Sequence, residues 1–136
     1  MAKAAVVFWS ATGNTEAMAA AVADGAKVDL LQTAAFSASD LAKYDAVAFG
    51  CPAMGAEELE EDEVEPLFAA MEGDLGGKKI ALFGSYGWGD GEWMRTWEER
   101  VKNAGAVLTH DSVICCEAPD EDAVEACKAL GASLNQ

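Results

Sequence analysis

Short apolar runs alternate along this chain with segments whose apolar residues recur at helical spacing. Lys3 to Trp9 is a nearly unbroken apolar run, as expected of a strand covered on both faces. Thr15 to Asp24 carries Met18, Ala21 and Val22 at helical spacing and stops at Gly25. Val28 to Gln32 reads as a second, weaker strand. Ser39 to Lys43 reads as one or two helical turns with Ser39 as the cap. Ala46 to Gly50 is a third buried strand. Val64, Leu67, Phe68 and Met71 fall at i, i+3, i+4 and i+7, with Pro66 suited to a first turn. Lys79 to Gly84 is the fourth strand. Trp93, Met94, Trp97 and Val101 mark the next helix, closed by Gly105. Ala106 to Cys116 reads as the fifth strand, kinked near Asp111. A last helix starts at Pro119-Asp120 and presents Val124, Cys127, Leu130 and Leu134 on one side.

Strict alternation of this kind implies an α/β fold: a doubly wound, five-stranded parallel sheet with helices on both faces. No repeat, linker or low-complexity tract divides residues 1–136, so one domain is expected. In such sheets ligands bind beyond the carboxyl ends of the strands, where the strand order reverses. Three segments lie there: Ser10–Thr15, Cys51–Glu58 and Ser85–Glu92.

Composition narrows the possibilities. At 136 residues and 51% hydrophobic, the chain can bury a core, and no apolar run approaches the ~20 residues that cross a bilayer. The amino terminus is too short and too weakly basic for a signal peptide, so a cytoplasmic location is expected. Four cysteines show no CxxC pair, and His110 is the only histidine, so no metal site is expected. Buried free thiols in a reducing compartment are the simpler reading. Twenty-four acidic against nine basic residues give a formal net charge of −15, which repels nucleic acid and anionic membrane and attracts basic protein surfaces.

The first segment, Ser10-Ala11-Thr12-Gly13-Asn14-Thr15, offers three hydroxyls, an amide and backbone N–H groups at a helix start, without a lysine or arginine. It lacks the lysine and second glycine of a nucleoside-triphosphate loop and the three glycines of a dinucleotide fingerprint. A single terminal phosphate fits it; a capped turn with no ligand is the alternative reading.

These residues carry a resemblance. Ser10-x-Thr12-Gly13-Asn14-Thr15 after an apolar strand resembles the phosphate loop of flavodoxins. Gly50-Cys51-Pro52-Ala53-Met54-Gly55-Ala56-Glu57-Glu58 resembles their second flavin loop, and Phe83-Gly84-Ser85-Tyr86-Gly87-Trp88-Gly89-Asp90-Gly91 their third. The likeness spans essentially the whole chain and is nearest to the short-chain class of anaerobic bacteria. The strand order 2-1-3-4-5, with FMN at the reversal, is itself a known property of that family and is carried over from it. The resemblance implies a cytoplasmic, monomeric, low-potential one-electron carrier that shuttles FMN between semiquinone and hydroquinone. Ser10, Thr12, Gly13, Asn14 and Thr15 would then hold the phosphate, with Ala11 in the same cofactor-binding loop. Met54 and Trp88 would cover the two ring faces, and Glu57 would accept from N3–H. Gly87, Trp88 and Gly89 would contact the pyrimidine side, and Gly55, followed by Ala56, would sit in the turn facing N5. Pro52, Ala53, Ser85 and Tyr86 complete the expected set. Implied partners are redox enzymes such as pyruvate oxidoreductase, hydrogenase or a nicotinamide-linked reductase, docking on an acidic rim.

Seven of the nine residues from Glu57 to Glu65 are acidic. One carboxylate ~10 Å from the flavin opposes an added negative charge by about 1.7 kcal/mol at an effective dielectric of ~20, so a few of them would lower the second reduction potential. Two other functions use a similar sheet. A flavin-dependent NAD(P)H or quinone reductase must admit a second substrate to the ring, which Met54 and Trp88 would cover. A phosphorylated receiver domain needs Asp at the end of the third strand and Lys at the end of the fifth, where this chain has Gly50 and Cys116 or Glu117. Trp93 and Trp97 read as core, and Trp9 either borders the site or packs.

Overall fold

A computed structural model describes residues 4–10, 13–26, 28, 30–53, 59–87 and 91–134. The apolar runs form parallel strands β1 (Ala4–Phe8), β2 (Leu30–Gln32), β3 (Ala46–Gly50) and β4 (Lys79–Tyr86). They are ordered β2-β1-β3-β4, and a fifth position outside β4 completes the sheet, which gives the expected order 2-1-3-4-5. Successive side chains along each strand point to opposite faces, and both faces are covered. Val6, Ala48, Ala81 and Phe83 lie under helices α1 (Asn14–Ala26) and α4 (Glu121–Ser133). Val7, Phe49, Ile80 and Leu82 lie under α2 (Val64–Met71) and α3 (Glu92–Asn103).

Trp93 and Trp97 belong to the second core, each 1% exposed. Phe68 of α2 meets Trp97 of α3 edge-on at 5.8 Å between ring centroids. Arg100 ties the same two helices from outside: its guanidinium bonds Glu65 at 2.7 and 3.0 Å and Glu72 at 2.6 Å, over the Phe68 ring at 4.9 Å.

Several sequence expectations are corrected. Gly25 does not end the first helix; α1 continues to Ala26. Gly25 is there for contact, since a Cβ on it would lie 2.1 Å from the Lys128 carbonyl oxygen of α4. Cys127, Leu130 and Leu134 of the last helix face the core as expected, joined by Ala123 and Gly131, while Val124 is only half-buried. The cap of the short 3₁₀ helix Ala38–Lys43 is Ser37, whose N–H donates to Asp40 at 3.0 Å.

The last strand is divided into β5 (Val107–Leu108) and β6 (Val113–Cys116), both paired with β4. Between the two, β4 advances from Ile80 to Phe83 while the outer chain advances from Leu108 to Val113, so two extra residues must leave the ladder. Polar side chains hold the detour: Thr109 Oγ1 lies 2.8 Å from Ser133 Oγ, and Ser112 donates to Glu98 at 2.7 Å.

The cysteines are free, but only Cys51 and Cys127 are buried; Cys115 is half-buried and Cys116 exposed. Burial pushes the Cys51 and Cys127 thiols up to about 12 and Cys115 up to about 11, which starves them of reactive thiolate. One thiol, Cys116, is therefore expected to react promptly with a disulfide reagent at pH 8 in the native protein, and all four in denaturant. Two prompt native thiols would contradict this placement.

Candidate functional site

The end of β1 and the start of α1 build the first portion of the site. Gly13 adopts φ +94, a left-handed conformation in which nothing lies within 4 Å of where a Cβ would stand. That turn brings the N–H groups of Gly13 and Glu16 onto the Ser10 hydroxyl, at 3.1 and 3.3 Å. The Ser10 oxygen thus gathers helix-start donors around one point, and its hydroxyl proton has no acceptor among the described residues. The N–H groups of Asn14 and Thr15 open the helix and have no acceptor among the described residues. This is the donor set a dianionic phosphate needs, aligned with the positive end of the helix dipole. The residues present fit a phosphomonoester.

A cleft of about 350 Å³ adjoins this turn, bordered by Phe8, Trp9, Ser10, Gly13, Glu16 and, from β2 onward, Gln32, Thr33 and Ala34, with Glu63 opposite. Trp9 does both things its position allowed: it borders the cleft and packs against the core. Among the described residues no lysine or arginine lines the cleft, so the groups it offers an anion are dipoles and hydrogen-bond donors.

Thr15 is placed differently from Ser10. It is 1% exposed, and its Oγ1 lies 2.9 Å from Oγ of Ser85, itself 4% exposed, at the end of β4. The ends of β3 and β4 are joined here as well. Cys51 N–H donates to the Phe83 carbonyl at 3.2 Å and Ala53 N–H to the Ser85 carbonyl at 3.0 Å, with Pro52 half-buried between them. The indole N–H of Trp93 donates to the Cys51 carbonyl at 3.1 Å. Tyr86 stacks at a tilt on Trp93, centroids 5.6 Å apart, and Gly87 is exposed. Ala11, Thr12, Met54, Gly55, Ala56, Glu57, Trp88 and Gly89 lie outside the described residues.

Glu60, whose role the sequence reading missed, supports the segment that brings Glu63 to the cleft. Within a run read as a solvated acidic surface, Glu61, Asp62 and Glu63 are indeed exposed, but Glu60 is only 4% exposed. Its carboxylate accepts from the N–H groups of Asp62, Glu63 and Val64 at 2.8, 2.7 and 3.1 Å, and so caps the turn that leads into α2. Its own N–H donates to Cys51 Sγ at 3.4 Å, which brings the two ends of the 51–60 segment together. The signal was available: Leu59 and Val64 flank the cap at the spacing of a hydrophobic staple, and both are buried in one cluster.

Among the described residues no helix is long and apolar enough to cross a membrane, and no group of three or more His, Cys, Asp or Glu side chains is arranged to hold a metal ion.

Comparison with known proteins bears directly on this arrangement. The sequence model of the flavodoxin family matches residues 6–131. The chain is 46% identical over 131 residues to the flavodoxin of Megasphaera elsdenii, covering 93% of each. It is 44% identical over 121 residues to that of Clostridium beijerinckii, covering 85% of this chain and 88% of the other. The solution structure of two-electron reduced Megasphaera elsdenii flavodoxin superposes with a TM-score of 0.87 at 43% identity, covering 96% of this chain and 97% of that one.

Proposed function

This chain belongs to the flavodoxin family, whose members are FMN-binding electron carriers, and from that premise we propose where it holds the cofactor and how it tunes it. Ser10, Thr12, Gly13, Asn14 and Thr15 hold the phosphate, with Ala11 in the same turn. Met54 and Trp88 enclose the ring system, Glu57 accepts from N3–H, and Gly55 and Ala56 lie in the turn beside N5. The ends of β3 and β4, at Pro52, Ala53, Ser85 and Tyr86, carry these loops, and backbone groups of Gly87, Trp88 and Gly89 meet the pyrimidine edge.

Bound FMN supplies one-electron chemistry. The protein's role is to choose the potentials. Exposed Glu61, Asp62 and Glu63 set a negative field on the same side as the cleft, which opposes any further negative charge inside it. The same rim favours redox enzymes with basic faces, such as pyruvate oxidoreductase, hydrogenase or a nicotinamide-linked reductase. The reading is of a carrier rather than an enzyme, working as a monomer in the cytoplasm.

The observation that carries the cofactor assignment is the Ser10 hydroxyl, with two N–H groups converging on it beside a left-handed Gly13. Titration of the flavin-free protein with FMN and riboflavin tests it. FMN is expected to bind at least about a hundredfold more tightly, because two or more charge-assisted hydrogen bonds belong to the phosphate. Equal affinities would move the phosphate away from this turn, and uptake of neither flavin would end the reading.

A further inference from the structure

We infer that Trp93 is a positioning residue, a buried indole that sets the direction in which both ring-flanking loops leave the sheet. This rests on the cofactor site proposed above and adds to it a residue of α3 that is not among those assigned to the flavin.

Two chain exits set the problem. The second loop leaves β3 through Cys51, Pro52 and Ala53, and the third leaves β4 through Tyr86 and Gly87. At the first exit the N–H groups of Cys51 and Ala53 still bond to β4, on the Phe83 and Ser85 carbonyls. Pro52 between them has no N–H to offer. The Cys51 carbonyl lies over Gly84, and its donor is the Trp93 indole, 3.1 Å away. A Cβ at Gly84 would stand 2.1 Å from that oxygen and 3.1 Å from Trp93 Cζ2, so glycine leaves the room this contact needs. The proline ring holds φ at about −65°. Orienting the Cys51–Pro52 peptide plane therefore orients the chain that follows it.

The same indole reaches the second exit. Its ring meets Tyr86, the last residue of β4, at 5.6 Å between centroids. One side chain, 1% exposed, thus touches the root of each loop. Trp97, one turn further along α3, is buried to the same extent, yet its indole N–H has no partner among the described residues. The helix therefore carries two buried indoles, and only Trp93 gives its N–H to a loop.

A ring held between two loops binds more tightly when their exits are set before it arrives, because less ordering is left to the binding step. FMN and riboflavin share that ring. Loosening an exit should weaken both by the same factor, whereas a lesion in the phosphate turn weakens FMN alone.

The test uses the full chain freed of flavin, as the parent, Trp93→Phe and Trp97→Phe, at a temperature where all three are folded. Trp93→Phe is expected to raise the dissociation constants of FMN and riboflavin equally, about three- to tenfold, as for the loss of one hydrogen bond. It should also speed the loss of FMN from the loaded protein and change the visible circular dichroism of the bound flavin. Trp97→Phe makes the same change of side chain on the same helix and should stay within about twofold of the parent in each measurement. Equal losses for the two variants would reduce Trp93 to general packing and overturn the inference. So would a loss confined to FMN, or no loss. If Trp93→Phe does not fold, hydrogen exchange at the assigned indole N–H groups of the flavin-free parent decides. Trp93 should exchange more slowly than Trp97, which lacks an acceptor, and equal or faster exchange would overturn the inference. A parent chain that binds neither flavin fails the cofactor assignment itself and takes this inference with it.

Discussion

Gly131→Ala is expected to destabilise the protein by about 3 kcal/mol or more in a urea or guanidinium melt. Helices α1 and α4 cross so closely that a Cβ at Gly131 would stand 2.0 Å from the Val22 carbonyl oxygen and 2.9 Å from the Ala26 nitrogen. These are backbone atoms of a regular helix and cannot rotate away as a side-chain end would. The helices must separate, and the apolar contacts of Val22, Cys127 and Leu130 loosen with them. Alanine's better helix propensity, worth up to about 1 kcal/mol, opposes this loss without cancelling it. Gly73→Ala serves as the control: nothing lies within 4 Å of its added Cβ, and its effect should stay within about 0.5 kcal/mol. A Gly131→Ala protein as stable as its parent would mean that the two helices are not in backbone contact.

The second large effect belongs to Glu60. Glu60→Ala removes three charge-assisted hydrogen bonds at once and leaves the buried N–H of Val64 without its acceptor. The expected loss is about 3 kcal/mol, and Glu60→Gln, which keeps one neutral acceptor oxygen, should lose roughly half of that. Glu61→Ala next to it, at an exposed position, should change stability by less than about 0.5 kcal/mol. Equal melts for the two alanine variants would remove Glu60 from any role in capping.

These two residues also mark the limit of what the chain reveals before it is folded. Strand alternation and helical spacing are local properties, and they placed β1, β3, β4 and the core faces of α2 and α3 close to where they stand. The geometry of the turn at Ser10 and Gly13 was legible for the same reason, because both act within one short segment. Apart from Glu60, whose partners are local, what was misread depends on partners distant in sequence. Gly25 looks like a helix terminator until Lys128 is seen against it. Glu60 is one acid among many until the staple formed by its flanking apolar residues is noticed. The pairing of Thr15 with Ser85 requires the whole sheet between them, and no local pattern contains it. The broken last strand was sensed only as a kink, since the count of residues that must leave the ladder depends on the register of β4.

That break bears on the colloidal behaviour of the protein. An open sheet offers unpaired backbone groups along both margins, and foreign chains can polymerise on them. Here β2 presents three residues, and the opposite margin is cut into pieces of two and four. Among the described residues, a fibril-forming segment of about six or seven residues finds no continuous template on either side, even though Val107 and Ile114 are uncovered at the β5–β6 margin. The detour at Thr109–Ser112 thus removes a continuous edge to which another strand could add.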